Sequence, residues 1–183
     1  MALTAKALLL RIAAMKAEAI KSFASNPYVT IHDYSHSSLP DKNNPFSVWI
    51  DVNYPVYVLE NNTPVLRPEG VKDICIKFCT GYPEERPLVI MPVSIASIHT
   101  WNNKVACTHA KYIPELHNLA MEISNIMKLC ANCPEGLNYG SPTPDHRWLT
   151  EWTKKSLEAH ILPTVSYAEL FKVKRVRKTI IWP

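Results

Sequence analysis

Between residues 28 and 95 the chain repeats one device: a short run of β-branched and aromatic residues, then a break at Pro, Asn, Asp or Gly. The runs are YVTIHDY (28–34), FSVWIDV (46–52), VYVLE (56–60), VKDICIKF (71–78) and PLVIMPVSI (87–95). Runs of this composition fit strands, and short turn-forming connections join antiparallel neighbours, so the segment predicts an antiparallel meander.

The flanks change period. Residues 2–24 are rich in Ala, Leu, Lys and Met with no Gly or Pro, which predicts one helix ending at SNP (25–27). PELHNLAMEISNIMKLCA (114–131) spaces Leu116, Leu119, Ala120, Ile123, Ile126, Met127 and Cys130 three or four apart, with Pro114 and Glu115 suited to a first turn. HRWLTEWTKKSLEAHI (146–161) resumes that spacing through Trp148, Leu149, Trp152 and Leu157, with Asp145 placed to cap it. Helix, strands, helices in that order predict an α+β fold with the helices segregated from an antiparallel sheet.

At 183 residues, 47% hydrophobic and 20% charged, the chain can bury a sizeable core, which excludes disorder as its main state. The expected organisation is one domain over residues 1–162 and a basic C-terminal extension over 163–183. Much of the formal +4 charge sits there, at Lys172, Lys174, Arg175, Arg177 and Lys178. These alternate with Val173 and Val176 like a strand edge and match no nucleic-acid motif, which argues against a nucleic-acid partner. Lys6, Arg11, Lys16 and Lys21 interrupt every apolar stretch of the first helix, so neither export nor membrane insertion is expected. A cytoplasmic protein with reduced thiols follows as the expectation.

Chemistry then concentrates on five cysteines: Cys75, Cys79, Cys107, Cys130 and Cys133. The pairs CIKFC and CANC offer four thiolates, as tetrahedral zinc accepts. Against zinc, Cys75 and Cys79 alternate along a predicted strand, and Cys130 lies on the apolar stripe of a helix, where a buried thiol is an ordinary core residue. CANC also has redox-pair spacing, without the βαβ surroundings such pairs use. Cys107 with His109 forms a possible nucleophile and base, with His99 or His117 as alternative bases, although no glycine-rich oxyanion turn accompanies them. The plain alternative makes Cys107 a buried small hydrophobe in a noncatalytic binding domain.

A longer pattern raises one reading above the others. VKDICIKFCTGYPEERPLVIMP resembles the ubiquitin-conjugating (UBC-like) enzymes, in which an alternating strand runs into a Tyr-Pro-x-x-x-Pro turn and a further strand; here the turn is Tyr82 to Pro87. In that family a His-Pro-Asn segment, an irregular loop, the catalytic cysteine and a helix follow. This chain offers His99, the loop TWNNKVA, Cys107 and the helix from Pro114 in the same order. The N-terminal helix, the proline-bearing loop SPTPD and a late Trp-containing helix extend the resemblance over most of residues 1–161. His-Pro-Asn reads His99-Thr100-Trp101 here, and Thr108-His109 replaces the usual Leu-Asp after the cysteine. Such divergence resembles the bacterial conjugating enzymes found in antiviral operons.

The resemblance implies a UBC-like fold with a four-stranded meander, and an acyltransferase that needs no cofactor. Cys107 would accept the C-terminus of a ubiquitin-like modifier as a thioester and pass it to a target amine. His99, Asn102 or Asn103 would stand in for the missing asparagine, His109 would assist the incoming amine, and Asp145 is a candidate to lie beside them. The activating enzyme would dock on helix 2–24. The alternatives are a noncatalytic UBC-like or RWD-like binding module, a cysteine hydrolase, or a zinc-binding domain.

Overall fold

A computed structural model describes residues 3–34, 42, 44–108, 112–136 and 138–172. Thr4 caps helix α1 (Ala5–Phe23), its hydroxyl accepting from the Ala7 N–H, and Leu8, Ile12, Met15 and Ala19 form the buried stripe. Strands β1 (Val29–Ile31) and β2 (Ser47–Val52) follow, then a hairpin of β3 (Val56–Glu60) and β4 (Thr63–Arg67), then β5 (Val71–Lys77), β6 (Leu88–Ile90) and β7 (Val105–Ala106). The main sheet is antiparallel in the order β1-β2-β5-β6-β7. The chain is thus α+β, with an N-terminal helix, an antiparallel sheet and C-terminal helices.

Two details depart from the expected four-stranded meander. The sheet gains a fifth strand, β7, and VYVLE leaves it to pair with TPVLR in a separate two-stranded ribbon. The cause is local: Asn61 and Asn62 take φ of 50° and 59°, the double left-handed turn that matches strand twist in a two-residue hairpin. Pro64 is tolerated because, among the described residues, no strand pairs with the outer side of β4. PLVIMPVSI shortens to Leu88–Ile90, with Pro92 two residues on.

Alternation along the strands sets the core. Val48, Ile50, Val52, Ile74, Ile76 and Val89 are buried in one cluster with the α1 stripe and with helix α2 (Leu119–Ala131). Trp49, paired with Cys75, faces the other side.

Helix α2 begins later than its sequence suggests. Pro114–Leu116 form only a 3-10 turn, His117 is extended, and Asn118 caps α2 by accepting from the Met121 N–H at 2.8 Å. The break turns the His117 side chain into the core. Asp145, expected as a cap, lies instead in a 3-10 turn (Pro144–His146), and helix α3 runs Leu149–Glu158. Its buried face is Leu149, Thr153 and Ser156, with Trp148 47% exposed, so the apolar spacing through Trp148 does not mark the packed side. Trp152 packs edge-on to Tyr57, ring centres 5.4 Å apart.

Part of the segment assigned to a basic extension packs on the body. Helix α4 (Tyr167–Leu170) buries Leu170, whose carbonyl accepts from the Asn26 amide at 2.7 Å, and Thr164 N–H donates to Ala131 O at 3.0 Å. Lys174, Arg175, Arg177 and Lys178 lie outside the described residues. Among the described residues no helix is long and apolar enough to cross a membrane.

Candidate active site around Cys107

The segment 99–107 folds into a tight loop closed at its base. Cys107 N–H donates to His99 O at 2.7 Å, Thr100 bridges Ala106, and Trp101 N–H donates to Val105 O at 2.9 Å. The reversal uses Lys104 at φ 65°, and Asn103 Oδ1 accepts from the Val105 N–H at 3.2 Å. Both Asn102 and Asn103 sit on the exposed tip. Their described bonds shape the loop: Asn103 through its own turn, Asn102 through its backbone N–H, which donates to Asp145 Oδ2 at 3.0 Å.

That last bond belongs to a clamp the sequence hinted at only through Asp145. Thr143 N–H donates to Ile98 O at 2.8 Å and its hydroxyl reaches the Thr100 carbonyl. Buried His146 places Nδ1 2.9 Å from Thr100 Oγ1. One short stretch, Thr143 to His146, therefore grips the segment 98–100 opposite Cys107.

His99 is 7% exposed, and its Nε2 accepts from the Asn138 N–H at 2.8 Å. Accepting at Nε2 puts the ring proton on Nδ1. Burial lowers the pKa of His99, and burial is also the main cause lowering that of His146. Both rings hold neutral hydrogen-bonding posts at the base of the loop. Because an unfolded histidine takes up its proton near 6.5 while these two resist it, stability should fall as the pH drops below that value. Thermal melts at about pH 7.5 and about pH 5.5 check the sign, since a higher Tm at the lower value contradicts it.

Cys107 itself is partly exposed just past β7. The residue that faces its sulfur is one sequence reading missed: Arg86, whose guanidinium nitrogen lies 3.9 Å from Sγ. Arg86 sits in the Tyr82–Pro87 turn, which the β6-β7 pairing brings alongside the thiol through Val89 opposite Ala106. A cation at that distance can hold negative charge on sulfur. His109 lies outside the described residues.

The four remaining cysteines do not converge. Cys130 and Cys133 are buried in the core, where burial pushes their pKa values up to about 12 and favours the thiol form. Cys75 faces the opposite side of the sheet beside Trp49, and Cys79 lies beyond the end of β5, 3.4 Å from Glu85 Oε2. Among the described residues no group of three or more His, Cys, Asp or Glu side chains is arranged to hold a metal ion.

Behind the thiol lies a buried polar chain that sequence reading did not assemble. Thr108 Oγ1 donates to Glu122 Oε1, His117 Nε2 donates to Glu122 Oε2 at 2.9 Å, and the Tyr82 hydroxyl meets His117 Nδ1 at 2.9 Å. The His117 and Glu122 side chains are 0% and 1% exposed. Arg11 of α1 stacks over the Tyr82 ring, 4.8 Å from its centre. Glu122 reads in sequence as one polar position on an amphipathic helix, and only the inward turn of His117 reveals its partner.

Neither a scan against protein-family models nor a search of curated proteins returned a match for this chain.

Proposed function

We propose that the protein is a ubiquitin-like-protein conjugating enzyme with a divergent UBC-like fold. The observation that carries this reading is the placement of Cys107: a partly exposed thiol at the base of a clamped loop, facing the Arg86 guanidinium at 3.9 Å. Support also comes from the element order. With the β3-β4 hairpin set aside, β1, β2, β5 and β6 pair in chain order between α1 and the thiol segment.

In this reading the Cys107 sulfur attacks the carbonyl carbon of an activating-enzyme thioester. A new S–C bond forms, the old one breaks, and the activating enzyme leaves as its thiolate. A target amine then attacks the same carbon, releases the Cys107 thiolate and gives up a proton to solvent or a neighbouring base. Sulfur serves because its thioester stays reactive toward amines. Arg86 holds charge on the sulfur as it forms and leaves.

The test incubates the protein with a ubiquitin-like modifier and activating enzyme, taken from its genomic neighbourhood, and ATP. A non-reducing gel should show an adduct that disappears with thiol; no adduct overturns the reading in favour of a binding module. Arg86→Ala should slow adduct formation roughly tenfold, less than the hundredfold or more of a preorganised oxyanion donor, because the guanidinium is exposed and screened. Single-turnover loading rates measure this, and an unchanged rate removes Arg86 from the mechanism.

A further inference from the structure

We propose that Glu122 is a positioning residue for Cys107, acting through Thr108. Along an extended segment, successive side chains face opposite sides. Ala106 is buried, Thr108 is drawn inward by its bond to Glu122, and Cys107 between them is turned out toward Arg86. The carboxylate cannot drift, because His117 holds its second oxygen and the Tyr82 hydroxyl holds His117 in turn. Tyr82 is itself wedged against Phe78, ring centres 5.0 Å apart, and under Arg11.

The chain thus runs from the Tyr-Pro turn through the core to the residue beside the thiol. Arg86 lies four positions after Tyr82 in the turn at one end, and Cys107 lies next to Thr108 at the other. The network thus holds the thiol's side of the 3.9 Å contact. This inference rests on Cys107 being the reacting group, and not on what it reacts with.

The test is the alkylation rate of Cys107 by iodoacetamide, read by mass spectrometry of its peptide, relative to Cys79, an exposed thiol on another segment. Thr108→Val keeps the side-chain shape and removes the donor, and should lower the Cys107 to Cys79 ratio by roughly tenfold, because a sulfur no longer turned toward Arg86 loses the cation that can hold charge on it. Thr108→Ser, which keeps the hydroxyl, should restore the wild-type ratio. A Thr108→Val ratio equal to wild type overturns the proposal and leaves the network a purely structural one. Should that variant fail to fold, Glu122→Gln decides: its neutral acceptor binds the hydroxyl about half as strongly, so the ratio should fall severalfold, and an unchanged ratio overturns the proposal. Alkylation needs neither modifier nor activating enzyme. A protein that shows the expected ratios yet forms no adduct refutes conjugation alone, and one that loads modifier with unchanged ratios refutes the positioning role alone.

Discussion

Cys107→Ala should form no modifier adduct at all, whereas Cys107→Ser should accumulate one that survives thiol and is cleaved by hydroxylamine. Alanine removes the only atom that could carry the acyl group at this position. Serine keeps an attacking oxygen in the same place but forms an oxygen ester, which thiols do not exchange and which hands its acyl group to amines far less readily. Loading of the serine variant should be slow, because a hydroxyl is a weak nucleophile without a base to take its proton. The exposed Cys79 supplies the internal control, and Cys79→Ser should load like wild type. Cys130 and Cys133, buried and with pKa values raised to about 12, cannot substitute. A thiol-sensitive adduct that persists in Cys107→Ala would move the acceptor elsewhere and end the present assignment.

The parts of the fold that sequence disclosed are those fixed by local period. Helix α1 is visible because Leu8, Ile12, Met15 and Ala19 repeat at helical spacing in a stretch without breakers. Strands β2 and β5 are visible because each is a run of β-branched and aromatic residues between turn-forming breaks. What escaped depends on pairing at a distance. Arg86 meets Cys107 only through the β6-β7 register, and the His117–Glu122 pair only through the extended residues that restart α2 at Asn118. One miss had a local signal, since Asn61-Asn62 between VYVLE and TPVLR is a two-residue hairpin turn that could have been read directly. Asp145 shows the reverse error: its position before a helical pattern suggested a cap, and a nonlocal N–H from Asn102 claimed its carboxylate instead.

The buried pair also makes the largest stability prediction. His117→Ala removes one partner and leaves Glu122 Oε2 in the core without its donor, and such a break costs about 3–5 kcal/mol. At about 2–4 °C per kcal/mol for a chain of this size, Tm should fall by roughly 6–20 °C. The Tyr82 hydroxyl loses its ring acceptor as well, although it keeps the Met15 sulfur at 3.4 Å. Replacing both members with apolar side chains of similar volume, His117→Phe with Glu122→Met, should recover most of the loss, because two well-packed hydrophobes replace a desolvated, hydrogen-bonded polar pair at little or no net cost. Denaturant titration of the two variants measures the difference, and equal stabilities would show that the loss does not come from leaving Glu122 without its donor. The double variant is informative beyond stability. It restores the core without restoring an acceptor for Thr108, so it should fold well while the Cys107 to Cys79 alkylation ratio stays low. Stability and thiol geometry would then separate in one molecule, as they must if Glu122 serves the thiol and not only the core.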